Sequence, residues 1–245
     1  RPAILSARVH THLALTQARQ QLANQNARLE SQVRQRTREL ELIKEVTMQA
    51  LATLAEKRDN ETGNHLIRTR RYIEVLMRGL STQPEFAVQL DPLTQELIAK
   101  AAPLHDIGKV GIPDAILLKP GRLTADEFVI MQGHAQIGAD ALTEAIERVL
   151  SSHPDNEHEQ DNRYALSFLE IAREIAGGHH EKWDGSGYPN GLAGNAIPLS
   201  ARLMALADVF DALVCKRHYK EAFPIAACID IIHQIQAVQA ALDKI

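Results

Sequence analysis

The sequence predicts an all-α protein, a long coiled-coil linker helix followed by a helical bundle, and three observations carry that expectation. Residues 15 to 54 contain neither proline nor glycine and repeat apolar side chains at every seventh position. Beyond residue 60, helix-length segments alternate with short breakers such as STQPEF, QLDP, KPGRLT and DGSGYPNGLAGNAIP. Strand-like alternation is scarce and β-branched runs are absent, which leaves little material for a sheet.

Residues 1–14 form the end of a helix that runs into the linker. In residues 15–54, Leu15, Leu22, Leu29, Ile43 and Ala50 make one row, and Val33, Leu40 and Leu54 a second row four positions on. Two such rows are the seam of a coiled coil. Asn26 falls in the second row, where a buried amide favours a parallel dimer in one register, and Glu39 with Lys44 has the spacing of an attractive interhelical pair. Arg36 and Thr47 interrupt the rows, so the alternative is a helix lying on its own domain. The polar remainder, QARQQLANQNARLESQVRQRTREL, leaves little else to bury and favours the dimerising linker.

The body, residues 55–245, contains one explicit helix start. In LTADEF, Thr124 is the N-cap and Glu127, three residues on, completes a capping box. The polar segment 151–162 is expected to be a solvated loop, with His153 and His158 as surface residues.

A formal net charge of -4 argues against broad attraction to a nucleic-acid polymer or an anionic membrane, so an anionic substrate must be met locally. Cys215 and Cys228 form no Cys-x-x-Cys pair, which argues against a disulfide framework and a zinc knuckle and fits a reducing, cytoplasmic compartment. No stretch approaches the roughly 18 apolar residues of a membrane span. The start, RPAILSARVHTHLAL, lacks the apolar core of a signal peptide.

The chemistry lies in a set of ionisable residues: Glu61, His65, His105, Asp106, Lys109, His134, His179, His180 and Asp208. Glu61 and His65 are four apart and on a helix would share a face. Asp106 lies three before Lys109, close enough for both to border one site. Imidazole with carboxylate suits first-row divalent metals such as manganese, iron, nickel or zinc. Five histidines and three carboxylates exceed what one tetrahedral ion can use, so two or three ions are implied. Paired ions can activate water near neutral pH and clamp a phosphoryl group. On the residues alone, the chain is a multinuclear metallohydrolase acting on a phosphate ester.

Five blocks in order, RDNETGNH, LHDIGKVGIPDAILLKPGRLTADEF, MQGHAQIG, HHEKWDGSGYPNGLAGNAIPLSARLMALADVFDAL and RHYK, resemble the motifs of the HD-GYP family over about residues 55 to 223. Members are cyclic di-GMP phosphodiesterases within the HD metallohydrolase superfamily. The resemblance implies an HD-type helical bundle that opens cyclic di-GMP to pGpG and in some members continues to GMP. It implies that His65, His105, Asp106 and Asp208 are core metal ligands, that His134, His179 and His180 complete the second centre, and that Glu61 accompanies a third metal. Iron or manganese is the expected metal, with nickel or zinc as alternatives. Asp106 and Lys109 are the implied catalytic pair, Lys109 at the scissile phosphate, where an ammonium offsets growing negative charge. Arg217 and Lys220 match a phosphate-gripping pair, and Tyr188 matches a residue that reaches the substrate or ties its loop down. Trp183, near the site, stacks on a guanine or only packs.

Two departures stand out: His218 occupies a position where the family usually has proline, and after Phe223 a helix-like segment replaces the expected Phe-Asp-Pro ending. RPAILSARVHTHLALTQAR is similar to the last helix of a response-regulator receiver domain, so the chain is expected to begin inside a receiver whose body it lacks, with a cognate histidine kinase upstream. The resemblance also implies a GGDEF-type partner. Two rival readings remain: a catalytically silent cyclic di-GMP sensor or interaction module, and a hydrolase of guanosine tetraphosphate or another cyclic dinucleotide. In HHEKWDGSGYPNG, Asp184, Gly185 and Gly187 are expected to shape the turn, glycine supplying backbone angles closed to other residues.

Overall fold

The computed structural model describes residues 2–58, 64–152, 159–215 and 223–234. Among the described residues all regular structure is helical, and the one β-type contact is an isolated bridge between Asp184 and Ala193. The chain divides into two compact units, Arg1–Met48 and Gln49–Ile245.

The first unit is formed by helix α1 (Pro2–Arg58) up to Met48. It follows from a run without helix breakers, supported along its surface by pairs one turn apart such as Arg34–Glu30 and Arg36–Glu39. The apolar rows are open to solvent: Leu15, Leu22, Leu29, Val33, Leu40 and Ile43 are each more than half exposed.

The second unit is a bundle whose helices each bury one stripe. In α2 (His65–Leu80) the stripe is Leu66, Thr69, Ile73, Met77 and Leu80, the three-and-four spacing of a one-sided helix. Asp91 caps α4 (Pro92–Ala101) by accepting from the amides of Leu93 at 2.9 Å and Thr94 at 3.3 Å, and Pro92 takes the first helical position, where no amide hydrogen is needed. Short helices α3 (Pro84–Ala87) and α5 (Asp114–Leu117) flank α4 and the 3-10 turns that follow it. The long α6 (Ala125–Ser152) begins with the expected capping box: the Thr124 amide donates to Glu127 at 2.7 Å and the Glu127 amide to Thr124 Oγ1 at 3.3 Å.

In α7 (Glu159–Gly178) the stripe Phe168, Ala172, Ile175 continues past the helix end to His179. In α8 (Leu199–Val214) it is Ser200, Met204, Ala207 and Asp211. The periodicity that builds the core therefore also delivers His179 and Asp211 to its interior. Helices α6, α7 and α8 pack in series, α2 lies on α8 and α4, and α4 on α7. Gly138 faces the Ala176 side chain, and Gly177 and Gly178 face Ala139 and Ala201, so small residues bring the three helices together beside His134, His179 and His180.

One expectation needs adjustment. The polar segment 151–162 is not wholly loop, because α6 continues to Ser152 and α7 starts at Glu159; polarity alone does not end a helix. His153 and His158 lie outside the described residues. The helix-like reading after Phe223 agrees with α9 (Ile225–Gln234), where Cys228 and Ile232 form a small core with Leu213. No described helix is long and apolar enough to cross a membrane.

Candidate metal centre

Five parts of the bundle meet at the site. His65 is the first residue of α2, His105 and Asp106 join the two 3-10 turns after α4, His134 lies on α6, His179 and His180 follow α7, and Asp208 is on α8. Their potential ligand atoms form two groups, Asp106 with His134, His179 and His180, and His65 with His105 and Asp208, each group lying within 4.8 Å of one another. Asp106 bridges the groups. Its Oδ1 faces His134 Nε2 at 3.3 Å and His179 Nε2 at 3.6 Å, while Oδ2 faces His105 Nε2 at 3.2 Å. In the second group, His65 Nε2 lies 3.4 Å from His105 Nε2 and 3.6 Å from Asp208 Oδ1.

The rings are turned by the nitrogen that faces away from the centre. Nδ1 of His134 donates to Met131 O at 2.7 Å, Nδ1 of His179 to Ile175 O at 3.0 Å and Nδ1 of His105 to Ala102 O at 3.0 Å. A carbonyl only accepts, so each Nδ1 carries a hydrogen, and in its neutral form each ring turns a bare Nε2 lone pair inward. Asp106 Oδ1, His134 Nε2 and His179 Nε2 are buried and make no hydrogen bond. Two lone pairs and a carboxylate oxygen pointed at one another repel unless a cation lies among them, so the residues fit a divalent metal. The donor set of imidazole and carboxylate suits a first-row ion.

Electrostatics act in the same direction. Burial lowers His134 to about 4, against the pull of Asp106, and burial with the neighbouring His179 and His134 pushes His180 further down. Both are therefore neutral, with lone pairs available, near neutral pH. Burial opposes ionisation of Asp106, but Lys109 and His105 hold it well below the carboxylate range. Burial also opposes protonation of His105, yet Asp106 and Asp208 raise it to about 9. Without a metal, a proton on His105 offsets the carboxylates.

Lys109 Nζ is 2.7 Å from Asp106 Oδ2, so an ammonium borders the bridging carboxylate. Gly108 lets this turn lie directly on α6: a Cβ there would stand 2.0 Å from His134 O. From the other side Arg58, the last residue of α1, donates to the carbonyls of Lys109, Val110 and Ile112 and pairs with Asp114 at 2.5 Å. The lysine turn is thus fixed between a helix backbone and a guanidinium.

The GYP segment folds back over His180. Buried Glu181 accepts from the amides of Asn190 at 2.7 Å and Leu192 at 2.9 Å, and the Tyr188 amide donates to His180 O at 3.2 Å. The Tyr188 ring stacks on His180 with centroids 4.7 Å apart, and burial with the nearby Asp106 raises its phenol pKa, so it remains a donor. Gly185 has φ of +78°, as expected of a turn glycine. Gly187 serves differently: a Cβ would fall 2.3 Å from Lys182 N, so close approach requires glycine there. Asp184 accepts from the Ser186 amide at 2.9 Å. Trp183 lies under Arg202, 5.7 Å from guanidinium carbon to ring centre, a packing contact.

The structure thus brings together His65, His105, Asp106, Lys109, His134, His179, His180 and Asp208, with Tyr188 beside His180. Glu61, Arg217, His218 and Lys220 lie outside the described residues; α2 itself begins at His65. Four further residues escaped the sequence reading: Arg58, Glu181, and the pair Arg68 and Asp211. Asp211 is 2% exposed, accepts from His65 Nδ1 at 2.8 Å, and pairs with Arg68 through both oxygens, at 2.7 Å and 2.8 Å. Burial opposes its ionisation, but Arg68 and His65 depress its pKa. Its signal was present, since His65 with Arg68 and Asp208 with Asp211 are each three apart.

The HD domain model matches residues 14–242 of the chain. A probable cyclic di-GMP phosphodiesterase of Vibrio cholerae is 52% identical over 218 residues, 89% of this chain and 46% of its own length. The 3'3'-cGAMP-specific phosphodiesterase 2 of the same organism is 44% identical over 173 residues, 70% of this chain and 28% of its own length. The cyclic di-GMP phosphodiesterase response regulator RpfG of Xanthomonas campestris is 36% identical over 233 residues, 95% of this chain and 54% of its own length. The chain thus spans about half or less of these curated relatives. Because the family model runs through both ligand groups and nearly the whole bundle, the chain belongs to the HD domain family.

Proposed function

We propose that the chain is a metal-dependent phosphodiesterase that hydrolyses cyclic di-GMP to pGpG, and in a second turn to GMP. The observation that carries this reading is the Asp106 carboxylate, which turns one oxygen to each ligand group. His65, His105, Asp106 and Asp208 would hold one ion and Asp106, His134, His179 and His180 another, with Glu61 available to a third. Divalent ions so held would supply Lewis acidity and lower the pKa of a water. Hydrolysis adds a water to phosphorus, breaks one phosphorus–oxygen bond to ribose, and returns a proton to the departing oxygen. Lys109 offsets charge on the phosphate oxygens, Tyr188 donates to the substrate, and Arg217 and Lys220 hold its phosphates. The similar curated relatives named for cyclic di-GMP supply the substrate class.

Iron or manganese is the proposed metal. Residues 15–54 are proposed to pair as a parallel homodimer, since a row of exposed leucines at heptad spacing calls for a second copy. Control of the chain by a receiver domain and a histidine kinase is proposed, since one similar relative is named a response regulator. A second reading, 3'3'-cGAMP as substrate, is favoured by the relative 44% identical that is named for it.

The test is turnover of anaerobically purified protein loaded with manganese or iron on both dinucleotides. Cyclic di-GMP should open to pGpG, and the His105→Ala, Asp106→Ala double variant should lose metal and more than about 100-fold in rate, beyond what an orienting partner contributes. Intact cyclic di-GMP with hydrolysed 3'3'-cGAMP would select the second reading. Tight binding without turnover would replace the hydrolase with a sensor.

A further inference from the structure

We infer that Asp211, backed by Arg68, is the positioning residue of the second ligand group: its carboxylate fixes the proton of His65 on Nδ1 and thereby aims Nε2 at the cation shared with His105 and Asp208. The inference rests on the metal-centre reading and extends it to residues outside both ligand groups.

A carboxylate oxygen can only accept, and Asp211 Oδ2 lies 2.8 Å from His65 Nδ1. The hydrogen must therefore sit on Nδ1, which leaves the Nε2 lone pair facing His105 Nε2 at 3.4 Å and Asp208 Oδ1 at 3.6 Å. Free imidazole favours the opposite tautomer, so the arrangement has to be imposed. Asp211 is itself held by a guanidinium fork, Arg68 Nε on Oδ1 at 2.7 Å and a terminal nitrogen on Oδ2 at 2.8 Å.

The spacing makes the device compact. His65 and Arg68 stand three apart on α2, and Asp208 and Asp211 three apart on α8, so one turn of each helix meets the metal group and the next turn orients it. A carboxylate partner also makes imidazole a stronger donor than a carbonyl partner does. A residue that only joined α2 to α8 would need the Arg68 bond but not the one to His65.

The experiment uses the whole chain, stripped by chelator and titrated with Mn2+, in the wild type and in the Asp211→Ala, Asp211→Asn and His65→Ala variants. In parallel, 15N NMR reads the His65 tautomer in the metal-free protein. Wild type should bind two equivalents and hold His65 as the Nδ1–H form. Both Asp211 variants should weaken one equivalent by about 10–100-fold and leave the other at wild-type affinity, and the Nε2–H form should rise in Asp211→Asn. The weakened equivalent should be the one that His65→Ala abolishes. Should Asp211→Ala fail to fold, the asparagine variant, which keeps size and an acceptor, decides alone. An unchanged tautomer with two wild-type affinities would overturn the inference. If wild type binds no Mn2+, the proposed function falls, and the metal-free tautomer still decides the role of Asp211.

Discussion

In the group of Asp106, His134, His179 and His180, the two rings with an oriented Nδ1 are held by carbonyls three or four residues back in their own helices. In the neighbouring group, His65 is held by a carboxylate 146 residues away. Local orientation arrives with the helix itself: once α6 and α7 form, His134 and His179 can point only one way. Long-range orientation arrives only when α2 has docked on α8 and Arg68 has closed on Asp211. His134 and His179 are therefore oriented by secondary structure, whereas in the second group His105 is held locally by Ala102 O and only His65 depends on the packed bundle. A signal that loosens the α2–α8 contact would reach the second group first.

The largest expected effect comes from attacking the close packing that seats the first group. Gly108→Ala would place a methyl 2.0 Å from His134 O and 2.5 Å from Gly138 N, both backbone atoms that cannot step aside. The turn carrying Asp106 must lift off α6. The expected cost is about 1–3 kcal/mol in a denaturation curve, with Mn2+ affinity falling more than about tenfold. Unchanged affinity would mean that the group tolerates movement and that its rigidity was overstated.

A smaller effect tests the far side of the same turn. Arg58→Ala removes the donors on the carbonyls of Lys109, Val110 and Ile112 without touching any candidate ligand. Turnover should fall roughly tenfold, short of the 100-fold that a misplacement of about 1 Å can bring, while bound metal stays at the wild-type level. Loss of metal instead would show that Arg58 supports Asp106 rather than Lys109. Because Arg58 ends α1, the variant also asks whether the last turn of that helix sets the position of the ammonium.

The contrast between local and distant partners also explains what could be read from the chain. The heptad rows, the Thr124–Glu127 box and the His-Asp and His-His motifs are short-range patterns, and sequence displays them directly. Asp211 and Glu181 are harder to read because their partners meet them only on folding, from α2 for Asp211 and from the returning GYP segment for Glu181, although the matching three-residue spacings in HLIR and DVFD point to a paired face. Gly187 reads in the sequence as a source of backbone freedom, but its role is close approach to Lys182, which only the folded turn reveals. Residues 151, 152 and 159–162 read as loop because they are polar, yet each belongs to a helix whose core-facing residues farther along decide its extent.

The smallest effect serves as the local control. Thr124→Ala deletes a helix cap at the start of α6, ten positions before His134, and should cost about 1 kcal/mol with no change in Mn2+ affinity. Glu127 gives the same box a pH signature. Its pKa is lowered from 4.5 by Lys119 and the Thr124 amide, so its contribution is fully present above 4.5 and is lost as pH falls through the lowered value. The stability advantage of wild type over Glu127→Gln should therefore be constant near neutral pH and shrink in acid, in denaturation curves taken across that range. If Thr124→Ala altered metal affinity, the start of α6 would be coupled to His134 through three turns of helix. The orientation of the first group would then depend on more than the carbonyl beside each ring.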